Sequence, residues 1–217
     1  MTDILVPSVP NLPLPKEEYN KLYFNQLTNV LRLYFNLLNN SVFDINQVLT
    51  DIQTGGGGAV LNLPYGAFSS FVSQTATVNT ATLMTLDTTD FSNTVSINTS
   101  KIIVTKPGIY NLQFSAQLQN LHNAPEDVFI WLKQNGTDIV GSTGKVGMPA
   151  RKSAGVPFHD IKGWNYFLSM KANDYVEIYW STTNASVTIE TYAASGTPTK
   201  PSTASVVATL SFVSALT

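Results

Sequence analysis

Cysteine is absent from the 217 residues, and with it go disulfide frameworks, thiolate zinc sites and cysteine nucleophiles. Charge is scarce too: Asp, Glu, Lys and Arg make up 12%, about half the ~25% usual in soluble domains. Water is therefore met mostly by Asn, Thr and Ser. The net charge of −2, with twelve scattered Lys and Arg, supplies no basic field for phosphate, so nucleic acid is not an expected partner. No apolar run reaches the ~18–20 residues of a membrane span. The opening Met1-Thr2-Asp3-Ile4-Leu5 lacks the cationic region and apolar core of a signal peptide. Neither membrane insertion nor secretion is expected.

Histidine is limited to His122 and His159. The metal ligands available beside them are Glu126, Asp127 and Asp160, in segments expected to be loops without a shared register. No metal or other cofactor is expected. There is no Gly-x-Ser-x-Gly elbow, and no Lys-Ser or Lys-Thr follows Gly55-Gly56-Gly57-Gly58, which excludes a nucleophile elbow and a P-loop. The chain does not read as an enzyme.

What is present falls into four parts. Residues 1–15 carry Pro7, Pro10, Pro13 and Pro15; proline fixes φ and removes a donor, so this arm is extended. Residues 16–53 have helical periodicity. Phe24, Leu27, Leu31, Tyr34, Leu38, Ile45, Val48 and Ile52 recur at three- and four-residue steps, interrupted only by Ser41, as in a coiled-coil seam. Ile45 and Ile52 favour three strands over two. Glu17 and Glu18 are expected in the first turn, at the positive end of the helix dipole. A second apolar set, including Leu22, Leu33, Phe35, Leu37, Phe43 and Leu49, is more than a solvated coiled coil requires, so the outer side also packs against something. Residues 54–64 form a glycine-rich joint.

Residues 65–217 alternate in the manner of strands. Tyr110, Leu112, Phe114, Ala116 and Leu118 alternate with Asn111, Gln113, Ser115 and Gln117, the period of a strand with one buried face. Strands are expected near 66–73, 82–86, 93–98, 101–106, 109–119, 127–134, 137–142, 164–170, 174–181, 186–193 and 205–214. Asn135-Gly136 is the strongest hairpin signal. Many short strands without intervening helices predict a sandwich or barrel. Trp131 and Trp180 lie within expected strands and are read as core or interface anchors rather than a sugar-stacking platform. The segment Gly141–Gly163 is expected to be a long loop. Its Lys145, Arg151, Lys152 and His159 make it a candidate receptor-facing loop for acidic glycans or an acidic neighbour.

Four segments resemble, in order, the globular heads of complement and tumour-necrosis-factor (TNF) type proteins. They are Gly108-Ile109-Tyr110-Asn111-Leu112-Gln113-Phe114, the stretch from Asp127 to Gly136, the stretch from Phe167 to Val176 with Asn173 where glycine is usual, and Ala208-Thr209-Leu210-Ser211-Phe212-Val213. The resemblance implies a TNF-like jelly-roll sandwich that assembles as a homotrimer, and no acidic calcium cluster carries over. Leu12-Pro13-Leu14-Pro15, followed by Tyr19 to Leu27 and Leu31 to Asn36, resembles the opening of structural proteins of tailed marine bacteriophages. In that group a proline-rich arm and helix dock a distal β-domain to the particle. This implies anchoring through Leu12, Pro13, Leu14, Pro15, Tyr19, Tyr23 and Phe35 to capsid, portal or tail proteins.

The two resemblances together imply a virion protein made in the host cytoplasm. Its fold is mainly β with an N-terminal arm and a long helix. It acts either as a fibre adhering to a host-surface glycan or protein, or as a decoration protein bracing the capsid. A diffusible TNF-like ligand is the alternative from outside the virus particle.

Overall fold

The computed structural model describes residues 10–14, 21–51 and 62–216. Two compact units are present, one ending at Asn62 and one beginning at Leu63.

In the first unit, helix α1 runs from Lys21 to Asp51, 31 residues. Neither proline nor glycine occurs within it, so its backbone ladder is uninterrupted. Three hydroxyls bond back to their own helix: Thr28 to the Phe24 carbonyl at 2.8 Å, Ser41 to Leu37 at 3.0 Å and Thr50 to Asn46 at 2.8 Å. That bond is how the polar Ser41 is accommodated in an apolar row. Glu17, Glu18, Ile52 and most of the glycine joint lie outside the described residues. Among the described residues no helix is long and apolar enough to cross a membrane.

The second unit is a β-sandwich. Its strands are β1 (Tyr65–Ser70), β2 (Thr82–Leu83), β3 (Thr88–Asn93), β4 (Val95–Asn98), β5 (Lys101–Val104), β6 (Gly108–Asn120), β7 (Glu126–Gln134) and β8 (Thr137–Asp138). They continue with β9 (Gly144–Met148), β10 (Phe158–Met170), β11 (Tyr175–Thr182), β12 (Val187–Ile189), β13 (Ser195–Gly196), β14 (Thr199–Lys200) and β15 (Val206–Ser214). One antiparallel sheet is ordered β3-β1-β15-β6-β10, with β12 on β6. The other is ordered β4-β5-β11-β7-β8, with β2 on β11 and β9 on β7.

The alternation read in β6 is realised in three dimensions. Tyr110, Leu112, Phe114, Ala116 and Leu118 are all buried, and they meet Ile102, Ile130, Leu132, Ile178 and Trp180 from the facing sheet. Each fully enclosed side chain of this size is worth about 1.5–3 kcal/mol gross. The buried Tyr110 hydroxyl donates to the Lys106 carbonyl at 2.7 Å, and burial raises its pKa. At the end where Leu63 leads into β1, the base, Asn135 and Gly136 turn with φ of 52° and 78°, as a two-residue hairpin requires. Asp174 ties this turn to β11. Its carboxylate accepts from the Asn135 amide at 2.8 Å, the Gln134 amide at 3.2 Å and the Lys171 N–H at 2.8 Å. Asn173 adopts φ +69°, the left-handed conformation that glycine or asparagine tolerates best.

Several expectations are corrected. The segment 93–98 is two strands, because Thr94 at φ +58° carries the chain from β3 in one sheet to β4 in the other. β3 itself, Thr88–Asn93, has no apolar alternation because it is a largely exposed edge strand. The strand at 137–142 ends at Asp138. There the Ser142 hydroxyl donates to the Ile139 carbonyl at 2.8 Å and accepts the Leu132 N–H at 3.0 Å, folding the chain back on β7. Strands placed at 66–73, 82–86 and 186–193 shorten to β1, β2 and β12.

The largest correction concerns 141–163, which is not one long loop. It contains β9 and the first half of β10. Inward positions of that half are Phe158, which packs on the core, and then Asp160 and Lys162, paired at 2.8 Å, while Ile161 points outward, so the polar-apolar alternation that marks a half-buried strand is broken. Gly163 marks the close approach there: a Cβ would collide with the Phe114 carbonyl oxygen of β6.

Candidate functional site

The helix presents two sets of apolar side chains. Leu27, Leu31 and Tyr34 of the seam are half-buried, while Phe24, Leu38, Ile45 and Val48 are exposed. The second set is exposed as well, up to 64% for Leu22 and 67% for Phe43. Of the anchoring residues, Leu12 and Leu14 are exposed and Pro13 half-buried, whereas Pro15 and Tyr19 lie outside the described residues. Tyr23 packs edge-to-face on Phe24 with centroids 5.3 Å apart, and the exposed Phe35 leans on Tyr34 at 5.8 Å.

The two outer faces of the sandwich differ chemically. On the β3-to-β10 sheet, strand alternation turns outward Ile109, Asn111, Gln113, Ser115, Gln117 and Gln119 from β6. It likewise turns outward His159, Ile161, Asn165 and Phe167 from β10, and Val207, Thr209, Ser211 and Val213 from β15. None of these is Asp, Glu, Lys or Arg. Ile161, Phe167, Val207 and Val213 are exposed by 60, 57, 38 and 51%. A shallow dent of about 480 Å³ opens at Gly163, between Ile161, Gln113 and Asn165.

The opposite outer face, on the β4-to-β8 sheet, is charged and aromatic. β7 turns outward Asp127, Phe129, Trp131 and Lys133 while Val128, Ile130 and Leu132 are fully buried. Trp131 lies beside Tyr179, ring centroids 5.9 Å apart, and its indole N–H donates to Asp138 at 2.8 Å. Trp131 is thus not a core residue, unlike the fully buried Trp180. Lys133 Nζ sits 4.5 Å from the Tyr179 ring and 3.5 Å from Asp138. Lys145, on β9 and not on a loop, pairs with Asp127 at 2.8 Å and lies 5.7 Å from the Phe129 ring.

The end of the sandwich opposite the base, the crown, collects the remaining sequence candidates but does not join them. Arg151 and Lys152 lie between β9 and β10, with the Arg151 N–H bonded to the His122 carbonyl at 2.9 Å. His159 stands on β10 and meets the Tyr192 hydroxyl at 2.9 Å. Burial, then the nearby Glu190 charge, raises the Tyr192 pKa. The four residues of the expected cationic loop are therefore divided between two sheet faces and a crown segment, and Lys145 is neutralised by its partner.

The arrangement around Glu126 resembles a catalytic relay only superficially. His122 Nδ1 lies 2.6 Å from Glu126 Oε1, and the Thr183 hydroxyl donates to the other carboxylate oxygen. The carboxylate therefore stands between hydroxyl and imidazole. A nucleophile would need the imidazole beside it to accept its proton. Among the described residues no group of three or more His, Asp or Glu is positioned to hold a metal ion. A groove of about 500 Å³ adjoins, lined by Pro125, Glu126, Asp127, Gly147, Met148, Pro149 and Thr183. No family model matches the chain, and no curated protein matches it either.

Proposed function

We propose that the chain is a homotrimeric bacteriophage virion protein. The arm and helix attach it to the particle, and a TNF-like jelly-roll head faces outward for host adhesion. The observation that carries the reading is the uncharged outer surface of β6, β10 and β15. The outer face of β6, β10 and β15 shows water four exposed large aliphatic or aromatic side chains and no Asp, Glu, Lys or Arg, with charge only at its margins, at Asp90 bonded to Ser69 and Glu190 bonded to Gln119. Such a surface suits contact with copies of itself, since interface cores are depleted of charge. Strand order supports the jelly roll: from β6 on, the strands of eight or more residues alternate between sheets, β6, β10 and β15 in one and β7 and β11 in the other. The helix adds a seam whose apolar residues contribute ~1.5–3 kcal/mol gross each when enclosed.

Sedimentation of the full chain and immunogold labelling of the particles that package its gene test the proposal. A trimer that labels the particle surface is expected; a monomer, or particles without label, overturns it. Particles lacking the protein separate adhesion from bracing. Lost adsorption with intact heads supports the fibre, and thermally fragile heads with normal adsorption support the capsid decoration protein.

A further inference from the structure

We infer that the outer face of the β4-to-β8 sheet is a binding platform for a neutral oligosaccharide, laid along β7 with sugar rings on Phe129 and Trp131. The inference rests on the adhesive-head reading above and names its ligand class.

A pyranose has a face of C–H groups and a rim of hydroxyls. Its recognition calls for a flat aromatic surface bordered by fixed polar groups. Both occur here on a rigid element. Phe129 and Trp131 project from the same face of β7, which is held by β11 on one side and by β8 and β9 on the other. The Trp131 ring cannot turn freely, because its N–H is bound to Asp138 and its side lies against Tyr179. Beside it a hollow of about 390 Å³ is lined by Phe129, Trp131, Asp138, Val140 and Thr143. That hollow offers a carboxylate and a hydroxyl to a sugar rim.

At the other end of the strip lies the groove of about 500 Å³ at Asp127, with the Asp127 and Lys145 ion pair between them. From Asp127 to Lys133 the strip is about 20 Å long at ~3.3 Å per residue, the reach of an oligosaccharide rather than a single sugar. Its charge selects the class. Lys133 and Lys145 are each matched by a carboxylate, at Asp138 and Asp127, so the strip has no surplus of cations for a sulfated or uronic chain. The same pairs present both donors and acceptors to hydroxyls. A trimer closed through the outer surface of β6, β10 and β15 leaves this face outward on every head, where three weak sites add through avidity.

The test titrates the purified full-length protein with neutral hexasaccharides of glucose, mannose and galactose, and with uronate and sulfated hexasaccharides, by calorimetry. At least one neutral hexasaccharide binds. Trp131→Thr and, independently, Phe129→Thr weaken it about tenfold or more, while Trp164→Phe, inside the sandwich, does not. Both variants introduce threonine, a β-branched residue suited to a strand, and circular dichroism of each confirms the fold; should one not fold, the other decides. The inference is overturned by binding of anionic chains alone, by no neutral binding up to about 10 mM, or by folded variants that bind as well as the parent. Attachment to whole host cells separates the two proposals. Equal attachment by the parent and Trp131→Thr overturns the platform and leaves adhesion standing. Hexasaccharide binding without attachment to cells overturns adhesion and leaves the platform.

Discussion

Phe167→Asp is the sharpest perturbation of the proposed trimer. The side chain stands on β10 with 57% of its surface exposed, so the monomer loses little when it is replaced. An enclosed phenylalanine buries ~150–250 Å²; the share still open to water is then about 110 Å². At ~25 cal/mol per Å² this is worth about 3 kcal/mol per protomer on association, or roughly 8 kcal/mol for three. Desolvating the new carboxylate adds to the loss. Such a change moves the three-body dissociation constant by about six decades and the concentration at half-dissociation, its square root, by about a thousandfold. Sedimentation across protein concentration, repeated in urea to loosen the helical seam, measures it. Val140→Asp, at a position 94% exposed beside the other sheet, is the control and leaves association unchanged. If Phe167→Asp and the parent dissociate at the same concentration and the same urea midpoint, the uncharged face is not the contact and the reasoning fails.

Further outcomes follow from individual contacts. Gly163→Ala pushes β10 from β6, because its Cβ meets the Phe114 carbonyl oxygen; a cost of about 1–3 kcal/mol or more lowers the thermal midpoint by ~2–4 °C per kcal/mol. Ser142→Ala leaves the Leu132 N–H without its 3.0 Å acceptor, a loss of about 1–3 kcal/mol read from the urea midpoint. Asp174 is held below the ordinary aspartate range. Burial works to raise its pKa but is outweighed by the Lys171 N–H, the Asn135 and Gln134 amides and the Lys171 charge. A depressed carboxyl contributes stability above its unfolded value, near pH 4, that is lost as pH falls through the folded one. Asp174→Asn therefore flattens the acid limb of urea midpoints measured from about pH 5 downward. On the helix, Leu31→Asp weakens self-association by about 2–3 kcal/mol per protomer in sedimentation. Leu33→Asp, 62% exposed, leaves the oligomer intact and lowers incorporation into particles.

Local periodicity carried the sequence reading a long way. An unbroken alternation from Tyr110 to Leu118 and the Asn135-Gly136 turn are statements about neighbours in the chain, and a strand with one buried face follows from them. The helix, expected over 16–53 and described over Lys21–Asp51, likewise follows from a three- and four-residue apolar repeat without proline or glycine. β3 and the first half of β10 were not legible. Their residues are chosen by partners far along the chain: β3 by an exposed edge on β1, and Asp160 and Lys162 by each other.

The sequence by itself determined a mainly β unit of sandwich or barrel type, the helix and the absence of thiol chemistry, because composition and short-range period suffice for these. Only the tertiary structure decided which residues share a surface. Trp131 and Trp180 lie on the strands β7 and β11 of one sheet and have similar surroundings in sequence, yet one faces water and the other the core. Lys145, Arg151, Lys152 and His159 are near neighbours in sequence but part company between two faces and an end. The physical reason is the two-residue period of a strand within a two-layer fold: each step along the chain reverses the face, and only the pairing of strands fixes which face meets water.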